Sequence, residues 1–343
     1  MRPSRAITAP TIGLGEVWPS PRADISSARA MHCRSNALQL LCSILPIFAA
    51  NVANIPAFAK AMKRIEFRRL LRSTLAPLVP PEELHDHEAL IVEYLLGCQL
   101  PDLLLRPEMP VPDGAVPRLE SVAKRLARHE PVQYILGYAY FYGRRFRVTP
   151  RTLIPRRETE ELCQLVLQTY AATPPLHGLD LGTGTGCIAI TLSLENPRLR
   201  MHAGDLSPAA IDVARRNAQD HALDLELSVL DLYTFAPPSA SYDFIVSNPP
   251  YIPMRERQRM PSRVLDYEPH AALFVPDGAP LAPYQAIARL AATALRPGGH
   301  VFLELHEDLA EQARAYYLQE GFRGVRVGYD AQGKARFLVA HLG

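Results

Sequence analysis

The chain has few cysteines, and their spacing excludes two common uses of the thiol group. There are five among 343 residues, and none forms a Cys-x-x-Cys pair, so zinc ribbons and dithiol redox sites are not expected. Free cysteines in intracellular proteins are mostly reduced and buried. We therefore interpret all five as reduced, buried thiols of a cytosolic type of protein: Cys33, Cys42, Cys98, Cys163 and Cys187.

Long hydrophobic runs and a strong net charge are also missing. No uninterrupted apolar run reaches the roughly 18 residues expected of a membrane span, because even the most apolar stretch is interrupted by Pro46, Asn51 and Pro56. We therefore expect no membrane association and a cytoplasmic location. The formal net charge is only +2, which argues neither for nor against a nucleic-acid partner.

The first 61 residues differ in composition from the remainder. They begin with a stretch rich in proline, serine, alanine and arginine, which holds the single tryptophan, Trp18. We interpret residues 1–61 as a disordered extension, after which Met62 opens the working protein. Two alternatives stay open: a secretory signal that starts at Met31 and ends near 57–59, or an organelle transit peptide.

From Met62 onward, the spacing of apolar residues predicts a small helical domain at 62–130. Apolar residues recur at three- and four-residue steps, and Pro80-Pro81 marks the start of one segment. The three predicted helical segments are 62–79, 80–99 and 116–130. Residues 131–156 are aromatic and β-branched and contain two glycines, which predicts a linker bearing a hairpin.

From Arg157 to the end of the chain, predicted strands alternate with predicted helices. The last two strands are separated by only "AQGK", a gap that permits an antiparallel hairpin but not a parallel crossover. We therefore predict an α/β domain at 157–343, a Rossmann-like, doubly wound sheet of seven strands with an antiparallel last strand. The predicted strands are 176–181, 199–207, 223–231, 242–247, 300–305, 324–330 and 335–342, and the helices are 187–195, 208–222, 281–296 and 308–322.

A glycine-rich loop, "GTGTG", follows the first predicted strand of this domain. Its glycines, Gly182, Gly184 and Gly186, allow a tight turn and a close approach of the backbone to a ligand. Asp205 ends the next strand, where its carboxylate can accept bonds from ribose hydroxyls. Asp231 ends the third and is a candidate partner for the N6 amine of an adenine. A nicotinamide dinucleotide site would show much the same pattern.

The stretch "VSNPPYIP" at the end of the fourth predicted strand indicates the chemistry. Ligands of doubly wound sheets bind outside the carboxyl ends of the strands, so Asn248 to Tyr251 are expected beside the glycine loop. The Asn248 side-chain oxygen and the Pro249 carbonyl can each accept one N–H bond of a planar –C–NH2 group, whose nitrogen gains charge as it attacks a methyl sulfonium. Pro249 and Pro250 make the segment rigid, and Tyr251 offers a flat face.

Together, these motifs resemble the S-adenosylmethionine-dependent methyltransferases with a seven-strand fold and an Asn-Pro-Pro-Tyr motif. More narrowly, residues 62–343 resemble the protein-(glutamine-N5) methyltransferases that modify peptide chain release factors. The segments that carry the resemblance are "RRLL", "EPVQYILGYAYFYGRRFRVTPRTLIPRRETEEL", "LDLGTGTGCIAI", "DLSPAAIDVARRNA", "DFIVSNPPYIP", "EPHAALFVPDG", "LRPGGHVFLEL" and "GF".

The resemblance implies an enzyme with a helical domain, a hairpin linker and a methyltransferase domain. It implies S-adenosyl-L-methionine as the cofactor, no metal, and a class 1 peptide chain release factor as the partner, methylated on the glutamine of its Gly-Gly-Gln loop. Direct recognition of DNA is not expected. By position, the catalytic residues would be Asn248, Pro249, Pro250 and Tyr251, and the cofactor-binding residues Asp180, Gly182, Thr183, Gly184, Thr185, Gly186, Asp205, Asp231, Leu232 and Asn248.

Four residues depart from the pattern of the family. Leu232 stands where relatives often have an aromatic residue beside the adenine, and Arg157 stands where they usually have proline. His306 and Glu307 stand where glycine is common. We expect neither Arg157 nor the His306-Glu307 pair to touch the chemistry.

Four other functions stay open from the sequence. One is a glutamine methyltransferase of a large-subunit ribosomal protein, and another is an adenine-N6 nucleic-acid methyltransferase, since the motif suits any planar amine. Base flipping needs a surface that grips the duplex, and the sequence after the motif indicates none. A nicotinamide oxidoreductase would leave the motif unexplained, and the intact Asn248 argues against a non-catalytic interaction protein.

A basic run precedes the α/β domain. It contains nine lysine and arginine residues and one acid, Glu130. The run would suit a partner bound to nucleic acid or to the ribosome, or it forms an ordinary solvated face. The nine residues are Lys124, Arg125, Arg128, Arg144, Arg145, Arg147, Arg151, Arg156 and Arg157.

Overall fold

A computed structural model describes residues 62–171 and 176–343 of the chain. The predictions for residues 1–61, and for Cys33 and Cys42 within them, lie outside the described residues. The helices are Arg64–Leu75 (α1), Leu84–Leu96 (α2), Asp102–Leu105 (α3), Ala115–Leu126 (α4), Val132–Leu136 (α5), Arg157–Thr169 (α6), Cys187–Glu195 (α7), Pro208–Asp220 (α8), Ser262–Leu265 (α9), Ala282–Ala294 (α10) and Ala310–Gln319 (α11). The strands are Tyr138–Phe141 (β1), Arg144–Arg147 (β2), Leu176–Leu181 (β3), Leu199–Asp205 (β4), Glu226–Val229 (β5), Tyr242–Ser247 (β6), Ile252–Pro253 (β7), Phe274–Val275 (β8), Leu295–Glu304 (β9), Arg323–Tyr329 (β10) and Ala335–His341 (β11).

Helices α1 and α2 lie within the first two segments predicted from apolar spacing, and α4 begins one residue before the third. Helix α1 buries Phe67, Leu70 and Leu71, which share one face because a helix turns every 3.6 residues. The prolines at 80–81 do not open α2 directly, since a turn intervenes and α2 begins at Leu84. Helices α3 and α5 were not predicted, because four or five residues are too few to show a helical period.

The predicted hairpin is formed by β1 and β2. Its register pairs Phe141 with Arg144, so Tyr142 and Gly143 form a two-residue turn. Both have positive φ, +51° and +72°, as the hairpin turn that matches the natural strand twist requires. Phe141 and Phe146 are fully buried and join the core beside α6 and α7, so the hairpin is packed against the α/β domain.

The central sheet has seven strands in the order β10-β11-β9-β6-β3-β4-β5. Strand β11 is antiparallel to both of its neighbours, whereas β9, β6, β3, β4 and β5 pair in parallel. This confirms the predicted fold. Leu181 of β3 is opposite Gly204 of β4 and Ser247 of β6. The carboxyl ends of three strands therefore lie side by side at one edge of the sheet.

Several predicted boundaries of the sheet region differ from the observed ones, among them the end of β5 and the start of β9. Strand β5 ends at Val229, so Asp231 lies beyond it in a turn. The helix expected to end at Pro297-Gly298-Gly299 stops at Ala294, and these residues lie within β9. They form an irregularity there, because Leu295 is opposite Tyr242 while His300 is already opposite Phe244. Glycine often ends a helix, but at this position it permits a bulge in a strand.

Apolar side chains cover both faces of the sheet. Ile245, Leu179 and Leu181 pack with α10 and α11, while Phe244 and Val246 pack with α6 and α7. Alternate residues of one buried strand thus enter different layers. In the described part of the chain, no helix has both the length and the apolar content needed to cross a membrane.

The described cysteines are free, but their burial differs. Cys163 and Cys187 are buried, as predicted, whereas Cys98 is only half-buried. Burial raises the pKa of the Cys187 thiol to about 12, so this thiol stays protonated at neutral pH and is a poor nucleophile.

The close approach of β4 to the segment after β5 predicts an effect of Gly204→Ala. The added Cβ would lie 2.0 Å from Leu230 Cδ2 and 2.4 Å from Leu230 Cγ. We expect the free energy of unfolding, measured by urea denaturation, to fall by about 1 to 3 kcal/mol, as is usual when atoms are forced into a packed core. Gly278→Ala is the matched control, because a Cβ there has no neighbour within 4 Å. Equal stability of the two variants would contradict this expectation.

Candidate active site

The glycine loop is held by the end of strand β4. The backbone N–H groups of Gly182 and Thr183 both donate to the Gly204 carbonyl, at 2.9 and 3.0 Å. Gly182 and Gly184 have φ of +73° and +56°, a left-handed conformation that side chains disfavour. The loop therefore turns sharply at the edge of the sheet and exposes its backbone there.

Asp205 fixes the same loop from the end of β4. Its Oδ2 accepts the Gly184 N–H at 2.9 Å, and its Oδ1 accepts the Ser207 N–H at 2.9 Å. Burial raises the pKa of Asp205, and these two N–H bonds oppose the shift. Each carboxylate oxygen has a second lone pair, so Asp205 keeps acceptor capacity for a ligand.

Asp180 supports the loop from behind. It is fully buried, and its Oδ2 accepts a hydrogen bond from Thr183 Oγ1 at 2.6 Å. Its Oδ1 has no hydrogen-bond partner among the described residues. Burial raises the pKa of Asp180 to about 7, because an ionised carboxylate without full solvation is costly.

A cavity of about 540 Å³ lies at the carboxyl ends of the strands. It brings together eight of the predicted site residues: Gly182, Gly184, Asp205, Asp231, Leu232, Asn248, Pro249 and Pro250. Five others do not line it: Asp180, Thr183, Thr185, Gly186 and Tyr251. These five lie where they can support the loop and the proline motif.

The remaining walls of the cavity were not predicted. One wall is residues 150–153 of the linker, and another is formed by residues of 269–276. The second wall is fixed by a parallel pairing of β7 with β8, and the Ile252 N–H donates to the Leu273 carbonyl at 2.9 Å. Tyr233, next to Leu232, also lines the cavity. No periodic pattern marks such irregular segments.

Asn217 of α8 joins the hairpin to the glycine loop. Its Nδ2 donates to the carbonyls of Thr185 and Arg147, at 2.8 and 3.1 Å, and its Oδ1 accepts the Arg147 N–H at 2.7 Å. Asn217 is completely buried. Its position in "RRNA" was part of the resemblance, but nothing in the sequence alone indicated this role.

A buried hydrogen-bonded chain lies behind the proline motif. Asn248 Nδ2 donates to Thr159 Oγ1 at 3.1 Å, and Thr159 Oγ1 donates to Glu304 Oε2 at 2.7 Å. Tyr251 Oη donates to Glu304 Oε1 at 2.9 Å. Thr159 and Glu304 were not predicted from the sequence, because they lie 89 and 53 residues from their partners Asn248 and Tyr251.

The family of the chain is shown by comparison with known proteins. A PrmC N-terminal domain model matches residues 67–137, and a Methyltransferase small domain model matches residues 156–265. A release factor glutamine methyltransferase of Bacteroides thetaiotaomicron is 39% identical over 274 residues, covering 79% of this chain and 97% of that protein. The corresponding protein of Koribacter versatilis is 34% identical over 82% of this chain and 96% of its own length. The chain belongs to the release factor glutamine methyltransferase family.

One solved structure of similar sequence is also described as a member. It is the release factor-specific protein-(glutamine-N5) methyltransferase from Alicyclobacillus acidocaldarius, which is 27% identical. The match covers 57% of this chain and 99% of that chain, with a TM-score of 0.36. Membership, which rests on the sequence relatives, makes this chain a methyltransferase that uses S-adenosyl-L-methionine.

The cavity of this methyltransferase fits that cofactor. Gly182 and Gly184 leave the loop free of side chains, so its backbone can approach a ligand closely. Asp205 retains acceptor capacity for hydroxyl groups, and Asp231 and Tyr233 lie in the same cavity. Leu232 offers no aromatic face, but the next residue, Tyr233, is aromatic and is 60% exposed.

The basic run of the methyltransferase is largely neutralised by the fold. Six of its nine cations pair with acids, in the pairs Lys124–Glu120, Arg125–Glu130, Arg144–Glu195, Arg145–Glu93, Arg147–Asp220 and Arg156–Glu268. Five of those six acids lie outside the run. The structure therefore favours an ordinary paired surface over a nucleic-acid-binding one.

His306 lies closer to the motif than expected. Its ring packs edge-on against Tyr251, with 6.1 Å between the ring centroids. Its Nε2 is 3.1 Å from Glu256 Oε2, and its Nδ1 accepts the Asp308 N–H at 3.2 Å. Glu256, His306 and Asp308 have metal-ligating atoms close together, but both ring nitrogens of His306 are already engaged.

The role assigned to Asp205 predicts weak cofactor binding by Asp205→Asn. The amide has one acceptor oxygen, so Gly184 or Ser207 loses its partner and the negative charge is removed. Hydrogen bonds to charged groups contribute about 1.5 to 3 kcal/mol, so we expect roughly 10- to 100-fold weaker binding by isothermal titration calorimetry. Asp212→Asn is the control, because Asp212 is exposed and pairs with Arg215 on the surface of α8. Unchanged affinity of Asp205→Asn would contradict the assigned role.

The raised pKa of Asp180 predicts a pH-dependent stability difference between wild type and Asp180→Asn. In the unfolded chain the carboxyl titrates near pH 3.9, and in the fold it titrates at about 7. The folded state thus holds the extra proton between these values, and the stability contribution of Asp180 falls as pH rises from about 4 to 7. In the absence of cofactor, we expect the Tm of Asp180→Asn minus the Tm of the wild type to increase from pH 5 to pH 8. A difference independent of pH would show that the carboxyl is not titrating there.

Proposed function

We propose that the chain transfers the methyl group of S-adenosyl-L-methionine to the side-chain amide nitrogen of the Gly-Gly-Gln glutamine in a class 1 peptide chain release factor. One observation carries the proposal: Asn248, Pro249 and Pro250 line the same cavity as the glycine loop and Asp205. The relatives named for this reaction support it, since the chain spans nearly their full length. The cofactor supplies an electrophilic methyl group on sulfur.

Asn248 and Pro249 perform the protein's part of the transfer by offering acceptors. A glutamine amide nitrogen is poorly nucleophilic because its lone pair is delocalised. It acquires positive charge as it forms a bond to the methyl carbon, while the bond from that carbon to sulfur breaks and leaves its electron pair on sulfur; the nitrogen then loses one N–H proton to solvent. The Asn248 side-chain oxygen and the Pro249 carbonyl accept its two N–H bonds and favour that charge. They also hold the nitrogen in one place, which converts the encounter into an oriented reaction.

The rest of the motif keeps these two acceptors in position. Proline fixes its own φ, and Ser247 before the motif donates from Oγ to the Leu181 carbonyl at 2.7 Å. Tyr251 after the motif is tied to Glu304. The expected contact of the Tyr251 ring with the planar substrate group stays a prediction, because Tyr251 does not line the cavity.

A second cavity supports a protein as the substrate. It has a volume of about 840 Å³ and is lined by residues of 77–90, 126–133 and 261–268. Neighbouring residues of the linker line the two cavities, since Thr152 and Leu153 line the first and Ile154 and Arg156 line the second. We therefore assign residues 62–130 to substrate recognition and 157–343 to methyl transfer, joined by 131–156. A cytoplasmic location follows from this partner.

The alternatives differ in their substrates. A glutamine of a large-subunit ribosomal protein would use the same acceptors. An adenine of DNA or RNA would also fit Asn248, but the pairing of the basic run argues against a surface that grips nucleic acid, and direct DNA recognition is not expected. Tight DNA binding that weakens steeply with salt would favour the adenine.

Asn248→Ala tests the proposed function. We expect it to lower methyl transfer to a purified release factor by at least roughly 100-fold, since a preorganised partner of the reacting group is lost. Cofactor affinity should fall far less than methyl transfer, because Asp205 and the loop are intact. Mass spectrometry of the tryptic peptide containing Gly-Gly-Gln measures the transfer.

The substrate itself provides the matched control. A release factor whose loop glutamine is replaced by alanine should gain no methyl group from the wild-type enzyme. Transfer to a residue other than that glutamine, or undiminished transfer by Asn248→Ala, would sink the proposal. Cofactor binding without any transfer to the release factor would favour the ribosomal protein or the adenine.

A further inference from the structure

We propose that Glu304 is a positioning residue that decides which end of the Asn248 side-chain amide faces the substrate. The inference rests on the proposed function, because it concerns the amide that would receive the glutamine. Glu304 is buried, with 1% of its surface exposed, at the end of β9. It acts on Asn248 through Thr159, which lies in the first turn of α6.

The hydrogen bonds that link Asn248, Thr159 and Glu304 allow only one consistent order of donors and acceptors. An ionised carboxylate can only accept hydrogen bonds, and a hydroxyl has a single proton to donate. Thr159 Oγ1 lies 2.7 Å from Glu304 Oε2, so its proton is used there. The Thr159 oxygen is then an acceptor for Asn248, whose Nδ2 lies 3.1 Å away.

This direction determines what Asn248 presents to the cavity. With its NH2 group committed to Thr159, its carbonyl oxygen remains for a substrate. The reversed amide would turn its NH2 toward the NH2 of the glutamine, and two donors cannot bond. It would also bring Asn248 Oδ1 against an oxygen whose proton is already used. A buried negative charge thus makes Asn248 an acceptor, as the proposed methyl transfer requires.

The same carboxylate holds the other end of the motif. Tyr251 Oη donates to Glu304 Oε1 at 2.9 Å, so each carboxylate oxygen accepts one hydroxyl proton. The first and the last side chain of the motif are therefore both held by one buried group, Asn248 through Thr159 and Tyr251 directly. Because the carboxylate accepts hydrogen bonds from two hydroxyl groups, it orients both side chains. A change in its protonation or identity would therefore change both contacts.

Charged and titratable groups from several elements face Glu304. Burial raises its pKa, while the Thr159 and Tyr251 hydroxyls and the Arg336 guanidinium lower it and Glu158 raises it. Tyr284 and Cys163 also lie within its electrostatic influence. Arg336 of β11 is itself held by Asp330 and by the Leu305 carbonyl, at 3.2 Å each. It places a positive charge beside the carboxylate.

A pair of substitutions at Thr159 tests the inference. Thr159→Val keeps the shape but removes the hydroxyl, so we expect kcat on the release factor to fall by about 10- to 100-fold. Cofactor affinity and the KM for the release factor should stay within about twofold. Thr159→Ser restores the hydroxyl and should recover kcat to within a few-fold of wild type. Thr169→Val is the control on the same helix, because its hydroxyl only donates to the Leu165 carbonyl on the exposed side.

A second readout distinguishes orientation from a general loss of packing. The wild-type enzyme presents acceptors, so it should bind a release factor with glutamate in place of the loop glutamine much more weakly than the natural one. In Thr159→Val the amide can turn its NH2 outward, where it can donate to a carboxylate. We expect the preference for glutamine over glutamate, measured by competition binding, to fall by about tenfold. Simple loosening of the core would weaken both ligands alike.

Glu304→Gln provides an independent measurement if Thr159→Val does not fold. A glutamine has one acceptor and one NH2 donor, so it can serve Tyr251 and donate to Thr159, which reverses the direction of the chain. We expect the same loss of preference for glutamine. We also expect the kcat of the wild type to fall on acidification, beginning at a higher pH than the titration of an exposed glutamate would give. The kcat of Glu304→Gln should not show this fall.

The outcomes separate this inference from the proposed function. A wild-type enzyme that leaves the release factor glutamine unmethylated overturns the proposed function and the inference with it. An active wild type with equal losses in Thr159→Val and Thr159→Ser, or with an unchanged preference for glutamine over glutamate, overturns the inference alone.

Discussion

The site depends on the register of three parallel strands. Leu181 of β3 is opposite both Gly204 of β4 and Ser247 of β6, so three strand ends meet at one level. The Gly204 carbonyl then receives two N–H groups of the loop, and Ser247 Oγ bonds to Leu181. A shift of one residue in either pairing would exchange the faces of every side chain in the strand. Cofactor loop and proline motif therefore share a cavity because of the sheet, and no direct bond between them is needed.

Most of the fold could be predicted because its signals are local. Strands β3 and β6 and helix α7 have the predicted boundaries, because a glycine or a proline lies within two residues of one or both ends of each run. The short pair β7 with β8 could not be predicted, because two-residue strands have no period. The bulge in β9 was mistaken for a helix end because Pro-Gly-Gly is compatible with both. These differences arise where distant chain segments, and not the local sequence, determine the conformation.

The candidate site divides in the same way. Residues whose role follows from a motif, such as Asp205 and Asn248, could be assigned to the correct edge of the sheet from the amino-acid pattern alone. Thr159, Asn217 and Glu304 could not, because a threonine, an asparagine or a glutamate has no distinctive spacing. Their roles come from contacts made across 32 to 145 residues of sequence. The basic run shows the converse, because a pattern visible in the sequence is mostly cancelled by acids brought in from elsewhere.

The ion pair between Arg156 and Glu268 connects two parts of the chain that are distant in sequence. Arg156 Nη2 lies 2.5 Å from Glu268 Oε1, and the Ile154 N–H donates to Glu268 Oε2 at 3.3 Å. Glu268, which is buried, thus joins the linker to the segment that forms a wall of the cavity. Residues 150–153 and residues of 269–276, two walls of the cavity, are therefore connected to each other by a contact that does not pass through the sheet.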